Sequence, residues 1–377
     1  MSKDAEIIID SLIQSVMERY PQERLNEIKE RSNNIWNGKP AKDRLTWAYA
    51  EGFDRKAPEI PLYVDENQRD LIHELQLILN RSDWNNDYYP GITSGLRQVA
   101  IPSYFGCVDE ITNSTTRVKI IIKDPSDVYS MPEPGFVKGS VGGDILAKMK
   151  YFHERVKGQI SVYMTDVQGP FSEAAQMWGI EDFLVAVYEY PEEAHYLLQK
   201  STDAIIKYFH LMYEAVEGDL IPIHCQPIFW MPKTKGVAVS DDFAAIVSPS
   251  VFREFSKPYL EQIAKEFGGV VIHSCGSLNH MTEELLTLEG LTGLNFSASE
   301  TNLADVKQAL KRLGSGKNIT VITHNSWLAS QGLKLLNAEE HIEQCKEYNA
   351  DGFCIVFPIE GYLPEIEGVH WANMVKY

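Results

Sequence analysis

Apolar positions fall into two textures along this chain. In the first 150 residues they are sparse and mostly helical. Ile7, Ile8, Leu12, Ile13 and Val16 recur at helical spacing and predict a helix over residues 4–35. Leu71, Ile72, Leu75, Ile78 and Leu79 predict another over 66–81. The Trp-, Tyr- and Asn-rich stretch from Trp84 to Gly91 reads as loop, and residues 116–123 alternate as a strand does. From about residue 158 short apolar runs alternate with helical stripes. Strands are predicted at 160–164, 220–225, 270–274, 294–296, 319–323 and 353–357. Helices are predicted to open at Phe171, at Pro191, after the Ser248-Pro249 cap, at Met281, at Leu303 and at Ala338. Such alternation implies parallel strands with helical crossovers. No Gly-x-Gly-x-x-Gly and no Walker loop is present, which argues against a nucleotide-binding doubly wound sheet. The expected architecture is α/β: a (β/α)8 TIM barrel. Its main part occupies residues 151–377, and residues 1–150 form a helical and β extension covering one end.

In such a barrel the chemistry sits at the C-terminal strand ends. Reading those ends in order gives Thr165, Asp166 and Gln168, then His224, Cys225 and Gln226, then His273 and Cys275. Asn295 and Ser297, then His324, Asn325 and Trp327, then Pro358, Glu360 and Tyr362 complete the set. His273-Ser274-Cys275-Gly276 is the most informative stretch. Residues i and i+2 of a strand share a face, so one imidazole and one thiol project together where the strand ends, and Gly276 lets the backbone turn away. His plus Cys is a borderline-soft pair that suits zinc. The tetrapeptide alone is weak; the other histidines and carboxylates at neighbouring strand ends strengthen the metal reading. Each element also has a plainer reading. His224 can be a hydrogen-bonded half-buried histidine, and Cys225, Cys345 and Cys354 can be structural. Asp241-Asp242 can cap a helix starting near Phe243. Trp84, Tyr88, Tyr89, Phe229 and Trp230 can be packing, or can wall an aromatic ligand.

Composition narrows the partners. The 377 residues carry a formal net charge of −18, which disfavours nucleic acid and anionic membranes. No 18-residue apolar run is present, so no transmembrane helix is expected. The N-terminus lacks the basic-then-apolar form of a signal peptide. Five widely spaced cysteines fit reduced thiols in the cytoplasm better than a disulfide framework.

Gly169-Pro170-Phe171, Asp241-Asp242, Ser248-Pro249-x-x-Phe252-x-x-Phe255-x-x-Pro258-Tyr259 and His273-x-Cys275-Gly276 together resemble the uroporphyrinogen decarboxylase superfamily, over roughly residues 158–376. The metal-free decarboxylases of that superfamily hold substrate carboxylates with an N-terminal arginine-rich signature. Here Arg44, Arg55 and Arg69 are scattered among acidic residues. Its methyltransferases use zinc, and the resemblance therefore implies a zinc-dependent transfer of a methyl group from a small methylated donor to a corrinoid protein. Zinc would be held by His273, Cys275 and Glu360. Glu360 stands where the coenzyme M enzymes of this branch carry a second cysteine after a proline, here Pro358; Cys354, His224 and His324 are alternative ligands. Asp166, His224, Asp242 and His324 are the expected catalytic groups, and Asn325 and Trp327 the expected corrinoid contacts. The aromatic cluster favours a methoxylated aromatic donor. The competing expectations are a coenzyme M-like thiol methyltransferase, a metal-free decarboxylase, and a barrel that binds a corrinoid or tetrapyrrole without catalysis.

Overall fold

The computed structural model describes residues 3–48, 65–82, 86–95, 99–107, 109–112, 115–135, 139–224, 229–313, 318–324, 336–358 and 374–376. Its strands in chain order are β1 (Thr46–Ala48), β2 (Gly91–Ile92), β3 (Asp109–Thr112), β4 (Thr115–Val118), β5 (Ser161–Tyr163), β6 (Leu220–Ile221), β7 (Val237–Ser240), β8 (Val270–His273), β9 (Leu291–Ser297), β10 (Thr320–His324) and β11 (Ile355–Pro358). One parallel sheet runs β1-β11-β10-β9-β8-β7 and another β2-β5-β6, while β3 and β4 form a separate antiparallel hairpin.

Two joints close the parallel strands into a ring. Asp87, ahead of β2, donates its N–H to the Trp47 carbonyl in β1 at 2.8 Å. On the other side Ala238 of β7 donates to the Pro222 carbonyl just beyond β6 at 3.0 Å. Closer to the C-terminal end, Gln168 beyond β5 pairs directly and in parallel with Ser240 of β7. β6 is therefore a wedge at the N-terminal end. It leaves β1, β2, β5, β7, β8, β9, β10 and β11 around the mouth, the strand set of a (β/α)8 barrel. Helices pack outside the ring and the strands' other faces fill its interior, so both faces are buried and the strands read as continuous apolar runs: Val270, Val271 and Ile272 are all wholly buried.

Helices follow the predicted stripes at Glu66–Arg81, Pro170–Trp178, Pro191–Ala215, Leu303–Leu313 and Ala338–Ala350. The single helix expected over residues 4–35 is instead two, Lys3–Arg19 and Gln22–Trp36. Pro21 stands extended between them and has no N–H to continue the first. The strand expected over 116–123 ends at Val118 and, among the described residues, pairs with β3 alone. Two ring strands, β1 and β2, lie within the first 150 residues. At three and two residues they are too short for a period to register. The Ser248 hydroxyl accepts the Val251 N–H at 3.3 Å, as a cap should. The helix it opens is interrupted by a π-turn at Phe252–Ser256 before resuming at Lys257–Phe267. Pro258, which cannot donate, sits at the resumption. No described helix is long and apolar enough to cross a membrane.

The aromatic cluster is packing at the far end of the ring. Phe229 stacks on Trp36 at 5.4 Å, and the Trp36 indole N–H donates to the Trp230 carbonyl at 3.0 Å. Trp36 abuts Gly293 early in β9, away from the mouth. Tyr88 and Tyr89 are buried, and Trp84 lies outside the described residues. Glycine sets the level of two strands. Gly236 and Gly269 immediately precede β7 and β8, and a Cβ on Gly236 (φ +89°) would lie 1.7 Å from the Gly269 carbonyl oxygen. Their close approach accompanies the register that puts Ser240 opposite His273.

One buried histidine predicts acid sensitivity. His341 packs its ring against Phe357 at 5.0 Å, and burial pushes its pKa down from 6.5 to about 3. The native state keeps it neutral while the unfolded chain takes up a proton below about pH 6.5, so stability is full above that pH and falls with acidification. The slope is about 1.4 kcal/mol per pH unit for this group, down to its folded value. His341→Gln should narrow the difference between urea midpoints measured at about pH 7.5 and about pH 5. An undiminished difference would assign the acid sensitivity elsewhere.

Candidate metal and catalytic site

Strand register builds the site. Ser240 on β7 lies opposite His273 on β8, His273 opposite Asn295 on β9, and Asn295 opposite Ile322 on β10. His273 Nδ1 pairs with Oδ1 of Asn295, and Asn295 Nδ2 donates to the Ile322 carbonyl at 2.9 Å. The second bond settles the first. The amide nitrogen is committed to Ile322, so its oxygen faces His273 and Nδ1 carries the proton. Nε2 is then the free nitrogen, 3.3 Å from Cys275 Sγ. Asp242 enters from the turn after β7, and its Oδ1 accepts the Cys275 N–H at 2.7 Å. One donor atom each from Asp242, His273 and Cys275 lies within 4.8 Å of the others.

This oxygen, nitrogen and sulfur set fits zinc. Three protein ligands with a fourth corner open is the catalytic pattern. Charge points the same way. Burial, then the negative charges of Asp242 and Asp166, push the Cys275 thiol far above its usual range. A divalent cation reverses that logic and makes the thiolate the stable form. Asn295 is the outer support of the trio. Asn295→Ala should weaken zinc affinity about 10–100-fold by freeing the His273 ring. Competition against a chromophoric chelator measures this, and an unchanged affinity would remove Asn295 from the account.

A second cluster adjoins the first. His224 Nε2 lies 3.0 Å from Asp166 Oδ1 and 2.9 Å from Ser240 Oγ. The Ser240 hydroxyl donates to Asp166 Oδ1 at 2.8 Å, and Gln168 Nε2 donates to Asp166 Oδ2 at 3.1 Å. Burial alone would raise the Asp166 carboxyl. The charge and hydrogen bond of His224, the Ser240 hydroxyl and the charge of His273 outweigh it and hold Asp166 below the usual carboxylate range. His224 Nδ1 is buried with no hydrogen-bond partner among the described residues. The ring of His224 is 6.2 Å from that of His273, and the ring of His324 is 5.0 Å from it on the other side. Burial, and the charge of His273, push His324 down to about 3. Neutral His324 pairs through Nε2 with the Ser274 carbonyl at 3.2 Å.

Asp166, His224, Asp242, His273, Cys275 and His324 are thus gathered at one end of the barrel. Asp242, expected as a catalytic carboxylate, stands in the donor group. His224, His324 and Cys354 are outside that group among the described residues. Cys354 is buried ahead of β11, where burial raises its thiol to about 12. Glu360, Asn325, Trp327, Tyr362 and Cys225 lie outside the described residues. Asp241 does stand at the N-cap position of the short 3₁₀ helix Asp242–Ala245, but its side chain accepts the Ser256 hydroxyl at 2.6 Å. Ser256 belongs to the π-turn, so that irregularity supplies a support for the residue next to Asp242. Burial, and then the charge of Asp242, raise Asp241 to about 6. Ser240 and the whole of β7 escaped the sequence reading. The signal was present: Val237-Ala238-Val239 follows Gly236 and is wholly buried.

A cleft of about 620 Å³ reaches from the surface to Asp242 and Gln168. Its walls mix apolar Val118, Ile120, Ala175, Ile180 and Phe243 with polar Ser172 and Gln176.

The family described as Uroporphyrinogen decarboxylase (URO-D) matches residues 99–221 and 233–322, more than half of the chain. No curated protein sequence matches it. Among solved structures, a methyltransferase from Methanosarcina mazei is similar with a TM-score of 0.63 at 16% identity, covering 92% of this chain and 97% of that one. At that identity the likeness speaks to the fold.

Proposed function

Because the chain belongs to the uroporphyrinogen decarboxylase family, we propose that it is a methyltransferase of that family. In this reading it moves a methyl group from a small methylated donor to a corrinoid carried by a partner protein, with zinc held by Asp242, His273 and Cys275. The observation that carries the reading is the convergence of three unlike donor atoms within 4.8 Å at the barrel mouth. When bound there, zinc supplies Lewis acidity that stabilises negative charge on the atom the methyl group leaves. The remaining roles belong to the chain's own side chains. Asn295 fixes the His273 tautomer so that Nε2 faces inward. The Cys275 N–H orients Asp242. Asp166 and Ser240 hold His224 through Nε2, which leaves Nδ1 to carry a proton to or from the demethylated product. A reduced Cys275 is required, which fits the cytoplasm.

The decarboxylase alternative needs cations around its substrate's carboxylates. The described residues lining the cleft include no lysine or arginine, and Asp242 is on its floor. The test is methyl transfer in the full-length, zinc-loaded protein, with reduced cobalamin as surrogate acceptor and a panel of methyl ethers and methyl thioethers as donors. Methylcobalamin should appear, by its absorption spectrum, with at least one donor. Its absence with every donor, alongside loss of carbon dioxide from a polycarboxylate, would replace this reading with decarboxylation.

A further inference from the structure

We infer that the cleft over Asp242 selects methyl donors without negative charge, such as neutral aryl methyl ethers, and that Glu181 and Asp182 determine this specificity. The inference rests on the methyl-donor reading above and deepens it. The cleft is lined by polar but uncharged Gln168, Ser172 and Gln176, by Asp242, and by apolar residues that include Phe243, Ile120 and Ile180. Glu181 and Asp182 stand at its rim. Both are exposed and lie in the first turn of the helix Ile180–Glu189, where the helix dipole favours ionised carboxylates. Gly179, at φ +101°, turns the chain between this helix and Pro170–Trp178, and a Cβ there would lie 3.0 Å from Ile120 Cδ1. That turn carries the two carboxylates to the edge of the apolar wall.

The charge balance inside agrees with the rim. The cleft's described lining holds three carboxylates, Asp242, Glu181 and Asp182, and no lysine or arginine. A zinc ion bound by an aspartate, a thiolate and a neutral imidazole makes a centre of zero net charge. The ion therefore does not compensate an anionic donor for passing the rim. An apolar ring of the size of a methoxyphenol fits a cleft of about 620 Å³, and a carboxylate on that ring would have no cationic partner among the described lining residues.

Calorimetric titration of the full-length protein tests this without relying on turnover. The probes are 2-methoxyphenol and 2-methoxybenzoate, at low salt and neutral pH. The neutral ether should bind about tenfold more tightly, and added salt should narrow the ratio by screening the rim. The double substitution Glu181→Gln with Asp182→Asn should reduce the ratio to about threefold. Equal or tighter binding of the benzoate, a ratio unmoved by the double substitution, or no binding of either probe would overturn the inference. The two readings fail separately. Charge-selective binding without methyl transfer would leave the inference standing and remove the methyltransferase; methyl transfer from both probes with equal affinity would do the reverse.

Discussion

Cys275→Ser protein is expected to fold normally and to lose its metal. Zinc content should fall from about one per chain to below about a tenth, and methyl transfer by about 100-fold or more. The physical reason is the donor atom. A serine hydroxyl matches the thiol in shape, but it does not become an anionic ligand at neutral pH, whereas a cation makes a thiolate of Cys275. Sγ is 3.3 Å from His273 Nε2, so its removal breaks the trio at its centre. Folding should be nearly untouched. Cys275 makes its structural bond to Asp242 through its backbone N–H, which serine retains. Unfolding midpoints within about 1 kcal/mol of wild type would separate metal loss from misfolding. Asp242→Asn keeps the shape of the third donor and removes its charge; zinc affinity should fall about 10–100-fold. Glu360→Gln, measured beside it, decides which carboxylate completes the set. Retention of full zinc and full activity in Cys275→Ser would falsify the metal site.

His224→Gln is expected to lower kcat about 10²–10⁴-fold while zinc content stays at the wild-type level. The separation of chemistry from metal binding distinguishes this prediction from the previous one. His224 is held by Asp166 at 3.0 Å and by Ser240 at 2.9 Å, and its Nδ1 has no hydrogen-bond partner among the described residues. Asp166→Asn should act in the same direction, because the ring loses the carboxylate that fixes its tautomer. Asp166 is held ionised across the neutral range, so its contribution in the wild type should be constant there. Stopped-flow transfer to reduced cobalamin reads kcat, and metal analysis of the same preparations reads occupancy. An unchanged kcat in His224→Gln would make the His224–Asp166–Ser240 cluster structural. Loss of zinc in that variant would make His224 a support of the metal site and not a proton carrier.

How legible this was in the sequence depends on element length. The later strand–helix alternation is long and periodic, and the barrel followed from it. β1 and β2 are three and two residues long, so the apolar pattern carries no trace of the barrel's beginning. His273 and Cys275 were visible because β8 is an unbroken apolar run ending on them. Asp242 was visible as a residue but not as a partner of that pair. Its strand, β7, is four residues long, and among the described residues only the short 3₁₀ turn Lys233–Lys235 lies between it and β6. With β7 unread, Asp241-Asp242 looked like a helix cap. For the aromatic cluster the sequence left two readings open, and packing is the one the structure bears out for Phe229. Phe229 and Trp230 are near His224 in sequence, but Phe229 stacks on Trp36 at the other end of the ring. Proximity along the chain carried no information about which end of the barrel a side chain faces. Asn295 lay among the strand-end residues, yet its role as the support of His273 needed the register between β8 and β9.

The most direct test is the metal content of full-length wild-type protein, prepared without a chelating tag and measured by elemental mass spectrometry beside Asp242→Asn and Cys275→Ser. The account predicts about one zinc per wild-type chain and a marked loss in both variants. Wild-type protein that holds no zinc even after reconstitution would contradict it, and would return His273, Cys275 and Asp242 to a structural role.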